Sequence, residues 1–214
     1  MNTSLGCRSE VQLPRWLFVT GLALLVTGIG MALALRLMPA PVGTVINPAR
    51  AMPDFEMRNQ NNAVVHLRDL KGQPVLIIFG YTHCPDICPL GLVDFKKVKA
   101  NLGKQAERVA FVFISIDGDR DTPAVLKQYM AAFDTQFIGL TERPFVVSQI
   151  AASYGAKFMR RITSTAQTTY LMSHTTDTYL LDQRGYLRKV YPYAAPTEAI
   201  AQDVRSMLGE APGE

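Results

Sequence analysis

The chain has 214 residues, 48% of them hydrophobic and 19% charged, the composition of an ordinary globular protein and not of a disordered or fibrous one. Its 22 Lys and Arg against 18 Asp and Glu leave a net charge of +4, with no dense basic stripe interleaved with aromatics, which excludes the phosphate-neutralising surface of a nucleic-acid binder. A domain of this size buries enough surface to fold without a metal or a disulfide.

Residues 1–15 read as a short N-terminal segment. From Trp16 to Leu35 the chain carries no charge, and at about 1.5 Å of rise per residue a helix of that length crosses a hydrocarbon core of about 30 Å. Residues 16–36 are therefore expected as a membrane anchor. The alternative is a cleaved signal peptide, for which Ala32-Leu33-Ala34 has the required small-x-small form, but the run exceeds the usual apolar region of such peptides. Arg8 and Arg15 precede the span and Arg36 and Arg50 follow it, a slight bias toward a cytoplasmic N-terminus. Cys7 precedes the span and cannot meet Cys84 or Cys88 across a bilayer, so it is expected as a free thiol. Residues 37–52, rich in proline, read as an extended spacer, 53–208 as one α/β domain, and 209–214 as a frayed tail.

Within the domain, Val64 to Leu67 reads as a short strand, and Pro74 to Tyr81 is a continuous apolar run typical of a strand buried on both faces. Leu92, Phe95, Val98 and Leu102 recur at helical spacing, predicting an amphipathic helix over 90–102. Val109 to Ile116 is a second buried strand. Together they make a βαβ unit, whose right-handed crossover sets the loop between first strand and helix at the carboxyl edge of a parallel pair. Helices are expected over 122–133, with Pro123 in a tolerated first-turn position, and over 144–154. Thr178 to Leu181 and Leu187 to Tyr191 read as strands joined by the Gln183-Arg184-Gly185 turn, and 196–208 as a closing helix.

The chemistry gathers in that carboxyl-edge loop, Tyr81-Thr82-His83-Cys84-Pro85-Asp86-Ile87-Cys88-Pro89. Pro89 suits a first helical position, which sets Cys88 at a helix start, where orphan amides and the dipole are expected to lower its thiol pKa. Such a pair can bind a metal or exchange disulfides. Three residues between the cysteines, and not two, separate it from the Cys-x-x-Cys of thiol oxidoreductases. Two thiolates converging from a short loop make two corners of a site for a soft ion such as Cu(I). A plain disulfide and a zinc site are the alternatives, the zinc short of its fourth ligand. For a third ligand the chain offers His66, His83 and His174. His66 reads as a surface histidine, and His83, adjacent to Cys84, would strain to reach the same ion and is expected beside the site, as is Asp86. His174 stands just before the strand at 178–181 and reaches the cysteine loop if that strand lies near the first.

The cysteine loop, Phe113-Ile114-Ser115-Ile116-Asp117 with Arg120-Asp121-Thr122-Pro123, Phe137-Ile138-Gly139-Leu140-Thr141, and Ser173-His174 together resemble the Sco/SenC copper chaperones in order and spacing, over residues 50–208. The resemblance implies a thioredoxin-like fold with a single N-terminal transmembrane helix, and copper, as Cu(I) or Cu(II), bound by Cys84, Cys88 and His174. It further implies a role in assembling the dinuclear copper centre of cytochrome c oxidase, with its copper-receiving subunit and other copper or thiol donors as partners. The corresponding location is a bacterial inner membrane, with the domain facing the periplasm. Two positions depart from the family: Ser173 where an Asp often precedes the metal histidine, and Gly118 where a Pro often follows the aspartate. The rival function is a thiol-disulfide oxidoreductase, with Cys84 and Cys88 as its redox disulfide, that reduces a copper-receiving partner. Against it, Ser173 to Tyr179 lack the proline that usually faces the cysteines of thioredoxin-like reductases. A peroxidase would need an activating arginine that the sequence does not supply.

Overall fold

The computed structural model describes residues 27–28, 42–162 and 170–209. Thr27 and Gly28 are helical. The rest of the expected anchor, the segment before it with Cys7, residues 37–41 and the tail from 210 onward lie outside the described residues. Among the described residues no helix is long and apolar enough to cross a membrane. The chain divides into two units, Met1–Pro41 and Val42–Glu214, and the second holds every strand of the α/β domain.

The domain begins earlier than the composition suggests. Thr44–Ala51 form strand β1, so the expected spacer does not extend to residue 52. Every residue of β1 is exposed or only half-buried, so backbone pairing holds it and no apolar alternation marks it. Its register shifts between Val45 and Arg50, around Pro48, which has no amide to donate and is tolerated on an edge strand. Strands β2 (Glu56–Asn59) and β3 (Val64–His66) form an antiparallel hairpin. Strand β4 (Val75–Gly80) comes next, buried at every position, and leads into helix α1 (Ile87–Leu102). Beyond it lie β5 (Ala110–Ser115), α2 (Pro123–Ala131), β6 (Ile138–Thr141) and α3 (Pro144–Tyr154). Strands β7 (Phe158–Ile162) and β8 (Tyr170–His174), then β9 (Thr178–Leu181) and β10 (Tyr186–Tyr191), precede helix α4 (Thr197–Gly209).

Eight strands make one sheet in the order β1-β10-β9-β4-β5-β6-β2-β3, with β7 and β8 paired apart from it. The central trio β4, β5 and β6 is parallel, which explains the unbroken apolar runs of β4 and β5, covered on both faces. Strand β9 lies antiparallel against β4, Ile78 opposite Thr178. The chain entering β9 therefore passes the carboxyl end of β4, where the cysteine loop leaves the sheet. Helix α1 buries Cys88, Leu92, Phe95, Val98 and Leu102, the 3.6-period stripe expected of a core-facing helix, and packs beside α4. Phe95, Phe111 and Phe137 meet in a cluster with ring centroids 5.2–5.8 Å apart, joining α1 to β5 and to the residue before β6.

Candidate metal centre

The structure starts α1 at Ile87, two residues before the position expected from Pro89. A helix's first turn has no intrahelical use for its amides, so a proline at the third position costs no hydrogen bond. Cys88 thus lies in the first turn, as the sequence implied, and its amide reaches the Cys84 sulfur at 3.5 Å. The Cys84 amide donates to the Tyr81 carbonyl at 3.2 Å, closing the loop into a turn. Both cysteines are free thiols. Cys84 is half-buried and Cys88 is 4% exposed.

Gly80 makes this seating possible. A Cβ there would stand 2.6 Å from the Phe113 ring and 3.0 Å from the Cys88 sulfur, closer than a packed core accepts.

The two thiols differ in a way opposite to expectation for Cys88. Burial pushes the Cys88 thiol up, and the neighbouring Cys84 adds to the rise. Desolvation of a nearly enclosed sulfur outweighs the helix dipole there. At Cys84 burial also acts upward, but the amides of Asp86, Cys88 and Ile87 and the Cys88 thiol outweigh it and hold the Cys84 pKa below its ordinary value. The helix N-terminus thus acts on the cysteine before the helix.

His174 ends β8. Its Nδ1 lies 2.8 Å from the Thr175 carbonyl, an oxygen that can only accept, so Nδ1 carries the proton and Nε2 presents a lone pair. Nε2 stands 3.3 Å from the Cys88 sulfur. The ring meets Tyr81 edge-on, centroids 6.0 Å apart. Burial lowers the His174 pKa, the Thr175 carbonyl opposing it, so the ring is neutral at pH 7, the state in which imidazole binds metals. The backbone here is tied to the start of β7: Thr175 donates its amide to the Lys157 carbonyl at 2.8 Å, and the Lys157 amide donates to Thr175 Oγ1 at 2.9 Å. One ligand atom from each of Cys84, Cys88 and His174 lies within 4.8 Å of the other two. A cavity of about 480 Å³ opens beside them, lined by Tyr81, Cys84, Ile87, Met172 and His174 among others.

His83 and Asp86 lie beside this cluster. Asp86 is exposed, precedes α1 without a side-chain cap, and acts on Cys84 through its amide. His83 is exposed, with Nδ1 3.0 Å from the Thr82 hydroxyl and 3.6 Å from Asp121. His66 sits on β3 near Asp54 and Glu56, at 3.9 and 4.0 Å.

A polar network beneath the loop carries no signal in the local sequence. Asp121 is fully buried and accepts from the Thr82 amide at 2.9 Å, the Thr82 hydroxyl at 2.6 Å and the Ser115 hydroxyl at 2.6 Å. Asp117, also buried, pairs with Arg120 and accepts from the Tyr170 hydroxyl at 2.7 Å. The Arg120 guanidinium lies 3.7 Å from the Tyr170 ring centroid, a cation–π distance. His83, Asp117 and Asp121 offer ligand atoms within 4.8 Å of one another, but both carboxylates are already engaged by protein donors. The nearest hint is the Arg120-Asp121-Thr122 segment, whose partners are set only by the fold.

The parallel β4-β5-β6 core, the cysteine loop at its carboxyl edge and a histidine entering from β8 define a thioredoxin-like domain with a Cys-Cys-His cluster. Comparison with known proteins gives the lineage: the SCO1/SenC pattern matches residues 44–209, and the chain belongs to that family. It is 34% identical over 182 residues to a SCO2-like protein of Rickettsia felis, covering 81% of this chain and 89% of the relative. Protein SenC of Rhodobacter capsulatus is 31% identical over 206 residues, 92% of each chain. Among solved structures, copper-bound ScoI of Bradyrhizobium japonicum superposes with a TM-score of 0.67 at 36% identity, covering 73% of this chain and 99% of that one.

The departures at 118 and 173 have different settings. A Cβ on Gly118 would fall 1.9 Å from the Glu142 carbonyl oxygen, so the close approach of the loop after β6 requires glycine. Ser173 is exposed and stands opposite Met159 across the β7-β8 hairpin.

Proposed function

We propose that this protein binds a single copper ion through Cys84, Cys88 and His174 and delivers it during assembly of the dinuclear copper site of cytochrome c oxidase. The observation that carries the reading is the convergence of two thiols with an imidazole whose Nε2 is kept unprotonated by the Thr175 carbonyl. Two sulfurs and one nitrogen suit a soft, low-coordinate ion, and structural zinc would want a fourth closed ligand. Support also comes from the copper bound in the Bradyrhizobium japonicum relative. Residues 16–36 anchor the domain to a bacterial inner membrane with its site toward the periplasm, and the partner is the copper-receiving subunit of the oxidase. In a second reading Cys84 and Cys88 are a dithiol that reduces a disulfide of the copper-receiving partner to two thiols and is itself oxidised to the Cys84–Cys88 disulfide. The contrast of a half-buried thiol of lowered pKa beside a buried one favours that second use, because one sulfur is poised to attack and the other is shielded.

The test is copper stoichiometry of the reduced full chain in detergent after removal of free metal. One copper per chain, lost in Cys84→Ser and in Cys88→Ser, is expected. Retention unchanged in both variants would reject the site.

A further inference from the structure

Met172 belongs to the cavity that opens beside the cysteine loop. Along β8 burial alternates, with Tyr170, Met172 and His174 on the more buried face and Leu171 and Ser173 on the exposed one. Residues two apart on a strand project to the same side, about 7 Å apart along the chain, so the Met172 side chain leaves β8 on the same side as the imidazole. Met172 and Cys84 line that one cavity together with Tyr81 and His174. Methionine has three rotatable bonds and a polarizable sulfur, and Met172 is only half-buried, with the cavity in front of it. By contrast, the carboxylates buried beneath the loop, Asp117 and Asp121, are occupied by Arg120, Tyr170, Thr82 and Ser115.

We propose that Met172 supplies its thioether as a further ligand to the copper ion held by Cys84, Cys88 and His174, and so biases the site toward Cu(I). The inference rests on the copper reading under Proposed function. A thioether is a soft donor without charge; it strengthens binding of Cu(I), while Cu(II), better served by nitrogen and oxygen, gains little. Removing it should weaken Cu(I) binding by about tenfold, the lower end of what perturbing a metal site's surroundings costs, and leave Cu(II) binding nearly unchanged.

The test is copper K-edge X-ray absorption on the selenomethionine-labelled full chain, reduced and loaded with Cu(I), with copper content measured on the same samples. A copper–selenium scattering shell in the parent protein, kept in Met159→Leu and lost in Met172→Leu, is expected. Leucine conserves the volume of the partly buried side chain, so the fold is retained. One copper per chain without a selenium shell, or with a shell that survives Met172→Leu, overturns the Met172 assignment and leaves the Cys-Cys-His site standing. Failure of the parent chain to retain copper overturns both.

Discussion

His174 Nε2 stands 3.3 Å from the Cys88 sulfur, although 86 positions separate the two residues. The contact is made by pairing β9 against β4, which brings the end of β8 over the carboxyl edge where α1 begins. A sulfur held in the core and a nitrogen held by one carbonyl leave little to rearrange when a metal arrives, apart from release of the thiol protons.

The two thiols should differ in reactivity. In the metal-free, reduced chain at about pH 7.5, Cys84, half-buried and lowered in pKa, is expected to alkylate with iodoacetamide at least about tenfold faster than Cys88, which is buried and raised. Peptide mass spectrometry of partially modified protein reads the ratio. Equal rates, or Cys88 first, would contradict the assignment.

Asp121 ties the cysteine loop to the end of β5. Asp121→Ala leaves the Thr82 amide and the Thr82 and Ser115 hydroxyls without their acceptor, and each buried orphan costs about 1–3 kcal/mol. Denaturant unfolding should show a loss of at least about 2 kcal/mol, with a smaller loss in Asp121→Asn, which keeps an acceptor oxygen. Midpoints unchanged in Asp121→Ala would show that the loop is held by other contacts.

Glycine is required at 80 and at 118 for different reasons. Gly118→Pro, the residue the family often carries, drives a Cβ into the Glu142 carbonyl, and Gly80→Ala drives one into Phe113 and the Cys88 sulfur. Overpacking of this kind costs about 1–3 kcal/mol. Both variants should melt below the parent, but only Gly80→Ala should also weaken copper retention. Equal copper retention in Gly80→Ala and the parent would mean that the Cys88 position is not set by this contact.

Folding of the metal-free chain should carry a pH signature from His174. Burial lowers its pKa in the folded state, against the smaller upward pull of Thr175, so the unfolded chain, with an ordinary value near about 6.5, binds more protons. Stability is then fully present above about pH 6.5 and is lost as the pH falls below it, until the folded value is reached. Unfolding free energies at about pH 7.5, 6.5 and 5.5 should fall more steeply for the parent than for His174→Gln, by at most about 1.4 kcal/mol per pH unit. Parallel profiles would place the imidazole in water.

The sequence made β4 and β5 legible because strands covered on both faces read as unbroken apolar runs, and α1 because its stripe at Leu92, Phe95, Val98 and Leu102 has helical period. Strand β1 and the β7-β8 hairpin are mostly exposed and leave no such trace. Cys84 and Cys88 stood out because they are close in sequence; His174 needed the topology of β9 or the family resemblance to be chosen over His66 and His83. The helix-dipole argument for Cys88 failed because its burial depends on tertiary packing: the Phe113 ring of β5, which meets the cysteine beside Gly80, is remote in sequence. The Asp121 latch was invisible for the same reason, its Thr82 partner lying 39 residues away.

The most direct test of the three-ligand site is Cu(I) affinity of the reduced full chain and of His174→Ala, measured by competition with a chromophoric chelator. Loss of one of three ligands should weaken binding by at least about tenfold to a hundredfold, the range that disturbing a ligand's surroundings alone produces, with both thiols still reducible and free. An affinity and stoichiometry unchanged in His174→Ala would contradict the site, however close the ring lies to Cys88.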